Sequence, residues 1–262
     1  MKHGPALMVL FWLAAVVLAA VLDLRPEQIH LDHILAAADH HAWLGYDDLG
    51  RNILARLLSG AGVSLTVVVA VTLVTLSIGI SLGLIAGFYG GWLDRLLMRV
   101  TDVFLAFPGM LLAIAFAAVL GPGLNNLLLA LCMTSWVGYA RLTRAQALAL
   151  RQRQHVQASE ALGASPWRLM RHHMLPLLAA PLVVEATYSM AGLVIAEASL
   201  SFLGLGIQAP QASWGSMLRD GVRYLLVAPH YVLATGLSLM SLVLAINLLG
   251  DRLRDHWDVK RA

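Results

Sequence analysis

The sequence predicts an all-α integral membrane protein with six transmembrane helices. The chain of 262 residues is 59% hydrophobic and only 13% charged, about half the charged share of an ordinary soluble domain, and its mean hydropathy is +0.75. Six stretches are long and apolar enough for a span, which takes roughly 20 mainly apolar residues to cross about 30 Å of hydrocarbon with every backbone polar group paired internally. The basic residues also divide unevenly between alternate loops, as they do in multi-spanning proteins.

The expected spans are residues 6–22, 63–88, 103–120, 124–142, 177–200 and 229–250. The first follows Lys2 and shares the charge-then-apolar pattern of a signal peptide. No convincing small-x-small site precedes Asp23, so it reads as a retained span. In the second, Gly79, Gly83 and Gly87 recur every four residues, a small-residue stripe on which another helix can pack closely. The fourth contains Cys132, the single cysteine, which excludes an internal disulfide and a cysteine metal site and reads as a small buried hydrophobe. The fifth contains Glu185 and Glu197. A carboxylate within hydrocarbon is costly enough that it faces a bundle interior, a cavity or a partner, so both are pathway candidates beside the alternative of a hydrogen-bonded structural carboxyl.

Of the 18 Lys and Arg, Arg25, Arg51, Arg56, Arg219 and Arg223 fall in one set of loops and the rest in the other. The richer set marks the cytoplasmic side, so both termini are expected there. The pI near 9.3 follows from this placement; the cations are spread between apolar runs and form no nucleic-acid face. Only Lys2 and Lys260 are lysines, and neither can serve a phosphate-binding loop, which needs a lysine inside a strand-to-helix turn. Any ATP chemistry must come from a partner. An intramembrane hydrolase using Ser201 or Ser135 would need a histidine base well inside a span, and none falls convincingly there.

Three polar segments are too long to be simple turns: outer loops 23–62 and 201–228, and an inner loop 143–176. The first holds His30, His33, His40 and His41 beside Asp32 and Asp39. Neutral imidazoles ligate nickel, copper or zinc, although this spacing fits no closed site. On the third span, Arg99 and Asp102 stand three apart and are expected to pair. In the inner loop, Gly163 suits the end of one short helix, and Ser165 with Pro166 suits the N-cap and first position of the next. Small residues Ala158, Ser159, Ala161 and Ala164 around Gly163 would let another protein approach the backbone closely.

This inner loop resembles the cytoplasmic coupling loop of ABC importer permeases, E-A-A-x(3)-G-x(9)-I-x-L-P. Here the matching positions are Gln157-Ala158-Ser159, Gly163, His173, Leu175 and Pro176, with Gln for Glu, Ser for the second Ala and His for Ile. The element Leu44-Gly45-Tyr46-Asp47-Asp48-Leu49-Gly50-Arg51 resembles the L-G-T-D-x-x-G-R-D element of the peptide/nickel branch of that family. Arg99-x-x-Asp102, Phe107-Pro108, Trp136, Tyr139-Ala140-Arg141, Leu200 to Gly206, Trp214-Gly215, Asn247 and Gly250 to Asp255 follow in that family's order. Val259 replaces a usual proline. The resemblance covers about residues 43–259.

The resemblance implies a type I ABC importer permease fold over residues 1–262 as one transmembrane domain, in a bacterial inner membrane. It implies no catalysis and no cofactor of its own. The implied partners are a second homologous permease, two cytoplasmic ABC ATPase subunits and an extracytoplasmic substrate-binding protein. Gln157, Ala158, Ser159, Glu160, Ala161, Gly163, Ala164 and Pro176 would couple the chain to an ATPase. The early first span, the short outer loop, Arg151-Gln152-Arg153-Gln154 and Ala209-Pro210-Gln211 look closest to the nickel permeases of C type. Nickel or a nickel chelate is the expected cargo, with di- or oligopeptides as the alternative.

Overall fold

The structure is a computed structural model that describes residues 4–22 and 24–258; Lys2 and Lys260 lie outside them. It is helical: α1 (Gly4–Val21), α2 (Ile53–Tyr89), α3 (Gly91–Leu105), α4 (Gly109–Leu120), α5 (Leu124–Ser135), α6 (Val137–Arg151), α7 (Gln154–Ala161), α8 (Pro166–Arg168), a π-helical turn (Leu169–Met174), α9 (Leu175–Phe202), α10 (Trp214–Val222) and α11 (Pro229–Asp258).

The expected six full-length spans are not all present as single helices. Among the described residues three helical stretches are long and apolar enough to cross a membrane, Ile53–Tyr89, Pro166–Phe202 and Pro229–Trp257, and α3 with α4 makes a fourth if the two count as one span bent by 85°. That bend falls at Phe107-Pro108, where the proline ring pushes the preceding residue out of helical geometry. The expected span 124–142 is likewise divided at Trp136, with α5 ending at Ser135. Twelve residues of α5 rise only about 18 Å, and α6 carries Arg141, Arg144 and Arg151. α1, Gly4–Val21, is a single helix over nearly all of the expected first span.

The chain forms two compact units, each assembled from separated segments. The first draws its described residues from the segment that ends at 70, from 114–131 and from 190–249. The Trp12 and Trp214 rings meet edge to face at its centre with centroids 5.0 Å apart. Because a buried indole N–H needs an acceptor, Trp12 Nε1 donates to Ser241 Oγ at 3.0 Å and Trp214 Nε1 to the Leu57 carbonyl at 2.9 Å. A reciprocal capping box between Ser213 and Ser216 starts α10 and fixes Trp214.

The second unit draws its described residues from 71–113, 132–189 and the segment that starts at 250. Its core joins Leu84 and Phe88 of α2, Tyr139, Ala147 and Leu150 of α6, Val156 of α7, and Leu169, Met170, Met174 and Leu178. The glycine stripe packs as expected. A Cβ on Gly79 would stand 2.8 Å from the Trp136 carbonyl, one on Gly83 2.6 Å from Thr143 Cβ, and one on Gly87 2.7 Å from Ala147 Cβ. Those partners recur along one face of α6, so backbone contact there needs the missing side chains. The ion pair expected between Arg99 and Asp102 does not form. Asp94 of α3 instead takes a two-pronged contact from Arg144 of α6, with Arg144 Nη2 2.7 Å from Asp94 Oδ2. A pair across helices ties α3 to α6, which a pair along one helix would not.

Candidate functional site

The inner loop is built as a projecting turn on a buried foot. Val156 is the one buried residue of α7, and it packs into the core of the second unit. Gln157, Ala158, Glu160 and Ala161 are exposed, while Ser159 is half-buried and donates its hydroxyl to the His155 carbonyl at 2.9 Å. At the end of α7 the Gly163 N–H reaches the Glu160 carbonyl at 2.9 Å, and the Ala164 N–H reaches that of Ser159 at 3.0 Å. These are the two bonds of a Schellman cap, which needs a left-handed residue at its centre. Gly163 supplies it with φ +85°, and no other atom lies within 4 Å of where its Cβ would be. The turn is therefore open to whatever approaches it.

Beyond the turn, Ser165 caps α8 by accepting from the Arg168 N–H at 3.4 Å, with Pro166 at the first helical position, as expected. Two large apolar side chains near Gly163 are exposed, Leu162 at 89% and Trp167 at 66%. Apolar groups that project singly from a turn carry information when they cluster. The helix that begins at Pro166 runs past Pro176. It continues through the π-helical turn into α9, and Pro176, also exposed, stands in α9 rather than in the turn around Gly163. The wider π turn just before it relieves the crowding that a proline ring imposes on the preceding turn.

The two carboxyls of α9 part company. Glu197 has no exposed surface; its Oε2 accepts from Ser64 Oγ at 2.7 Å and its Oε1 from Ser201 Oγ at 2.9 Å. Both oxygens are thus taken by hydroxyl donors inside the first unit. Glu185, half-buried, borders a cavity of about 300 Å³ with Tyr188, Arg254 and Trp257 in the second unit.

In the loop 23–62 the most buried charge is Asp47, the first acid of the element that resembles L-G-T-D-x-x-G-R-D. Its carboxylate accepts from the backbone N–H of Leu49 and Arg51 at 2.9 and 2.8 Å, from Arg51 Nε at 2.7 Å, and from Arg56 Nη1. Arg56 Nη1 also donates to the Tyr231 hydroxyl at 3.1 Å. Two arginines on the cation-poor side are thereby neutralised by one enclosed acid, a role signalled in sequence only by their breach of the charge bias.

The four loop histidines do not converge. The His33 ring stacks on Tyr46 at 4.9 Å and lies 3.4 Å from Asp32, the His30 and His33 rings meet edge to face at 6.3 Å, and the His41 N–H donates to Asp39. Among the described residues no group of three or more His, Cys, Asp or Glu side chains is placed to hold a metal ion.

Comparison with known proteins places these features in context. The profile of the family described as "Binding-protein-dependent transport system inner membrane component" matches residues 79–260. A glutathione transport system permease protein of Pectobacterium atrosepticum is 43% identical over 83% of this chain and 72% of its own length. A dipeptide transport system permease protein of Alkalihalophilus pseudofirmus is 43% identical over 86% and 73%. A nickel transport system permease protein of Escherichia coli K12 is 39% identical over 97% of this chain and 92% of its own. Among solved structures, an inward-facing form of the MetNI methionine ABC transporter shares the fold with TM-score 0.59 and 22% identity, over 76% of this chain and 95% of that one.

Proposed function

Because the chain belongs to the family of binding-protein-dependent transport system inner membrane components, we propose that it forms half of the translocation pathway of an ATP-driven importer for nickel or a nickel chelate. The partners in this reading are a second homologous permease, two cytoplasmic ABC ATPases that hydrolyse the nucleotide, and an extracytoplasmic binding protein that delivers the cargo. The chain crosses a bacterial inner membrane with both termini cytoplasmic. The observation that carries the cargo is the alignment with a nickel permease over 97% of this chain and 92% of the relative, short outer loop included.

In this mechanism the exposed turn around Gly163 seats against an ATPase, with Leu162 and Trp167 as its apolar contacts. Val156 and the π-helical turn link that seat to the core of the second unit and to α9. Closure of the ATPases on ATP moves the seat as a rigid body, and the helices exchange an inward-open for an outward-open cavity. The reading of nickel is tested by deleting the gene. High-affinity nickel uptake should disappear and return when the gene is restored with its partners. Unchanged nickel uptake with lost growth on short peptides would replace nickel by peptides, a reading favoured by the higher identity to the dipeptide and glutathione permeases.

A further inference from the structure

The segment from Gly250 to Asp255 packs on α9 beside a cavity that has an apolar wall and a few polar groups. A Cβ on Gly250 would lie 3.0 Å from Thr187 Oγ1 and 3.5 Å from Tyr188 Cε1, so α11 presses directly on α9 there. One residue on, Asp251 Oδ1 accepts from the Tyr188 hydroxyl at 2.7 Å. Residues three apart on a helix share a face. Glu185 and Tyr188 therefore look from one face of α9, and Asp251 and Arg254 from one face of α11. Between them lies the cavity of about 300 Å³, bordered by Glu185, Tyr188 and Arg254 and walled by Leu142, Val184 and Trp257. Pro181, inside α9, also borders it and brings no N–H to the carbonyl four residues earlier. The volume is at the lower end for small-molecule sites, and an apolar wall with a few convergent polar groups is their usual composition.

We infer that Glu185, Tyr188 and Arg254 form a binding subsite for a small solute that carries both an amine and a carboxylate. The ammonium meets Glu185, the carboxylate takes the guanidinium of Arg254, whose planar fork suits it, and the apolar wall with Trp257 covers the backbone between them. A short peptide and an amino-acid chelator of a metal both present this chemistry, as does an ethanolamine lipid headgroup; the assignment is to the solute. Its passage onward rests on the importer reading, whereas its binding does not.

The experiment uses the chain purified with its partner subunits in phosphatidylcholine nanodiscs, and reads tryptophan emission against the same complex carrying Trp257→Phe. Alanyl-alanine should give a saturable, Trp257-dependent change. The isosteric Glu185→Gln should weaken alanyl-alanine at least tenfold while leaving the N-acetylated form unaltered, and Arg254→Gln should do the same with respect to the C-amidated form. No Trp257-dependent change in the parent complex overturns the site, as does equal loss for capped and uncapped peptides. Tighter binding of phosphoethanolamine than of alanyl-alanine reassigns the cavity to a lipid headgroup and overturns the solute. Uptake of alanyl-alanine is measured separately in proteoliposomes: binding without ATP-driven uptake defeats its onward passage and leaves the subsite standing.

Discussion

Asp47 and Asp48 are adjacent in sequence and opposite in character. Asp47 is enclosed and fully paired, whereas Asp48 stands beside it with Arg51 Nη2 at 3.6 Å. Burial, then the charges of Asp47 and Asp220, push the Asp48 carboxyl above its ordinary range, against the pull of Arg51. The folded chain therefore holds this proton more tightly than the unfolded one. That contribution favours folding below the ordinary aspartate value of about 3.9 and is lost as pH rises through the folded value. Asp48→Asn should accordingly raise the melting temperature of the purified complex at pH 7, and the advantage should vanish on acidification below about pH 4. A gain that persists in acid would contradict this. The dispersed loop histidines lead to a second expectation: replacing His30, His33, His40 and His41 together with Gln should leave nickel uptake at the parental level. A fall of tenfold would show metal contact that the ring geometry does not provide.

At the scale of elements, the stripe on α2 and the turn after α7 each depend on glycine for a different reason. At Gly83 the need is space, since an added Cβ meets Thr143 and stands 3.0 Å from the Arg144 backbone N. Gly83→Ala should cost about 1–3 kcal/mol as overpacking, read as a lowered melting temperature and reduced membrane yield. Gly192→Ala, where nothing lies within 4 Å, should behave as the parent. At Gly163 the need is a positive φ in open space. Gly163→Trp should abolish uptake and loosen the ATPases at least tenfold, measured by co-purification, with the chain still in the membrane. Gly163→Asn, which tolerates the left-handed region, should retain most uptake. Normal uptake in the tryptophan variant would remove the turn from the coupling path. Helical spacing makes both features legible in the sequence. It does not identify α6 as the partner of the stripe, nor Leu162 and Trp167 as the exposed pair, because those depend on which faces other segments cover.

For the molecule as a whole, the division of basic residues predicts orientation independently of any fold. With Cys132 changed to Ser, a cysteine at the exposed position of Gln154 should resist a membrane-impermeant thiol reagent in intact cells, and one at exposed Ala38 should react. The reverse pattern would invert the topology and move the Gly163 turn away from the side on which ATP is available.

The chemistry of the chain alone sets the class of molecule: an apolar helical chain carrying the ordered motifs of an importer permease. Those properties reside in composition and spacing, which local physics reads directly. The tertiary structure decided how many spans are whole, because a proline bend of 85° and a break at Trp136 leave the length of an apolar run unchanged while dividing its helix. It also decided the fate of the charged residues. Glu197 is enclosed by two serines, Asp47 gathers two arginines, and Glu185 shares a cavity with Arg254. In each case the partner lies on a segment whose approach no local pattern specifies, and in a low-dielectric interior the cost of a charge is set by that partner.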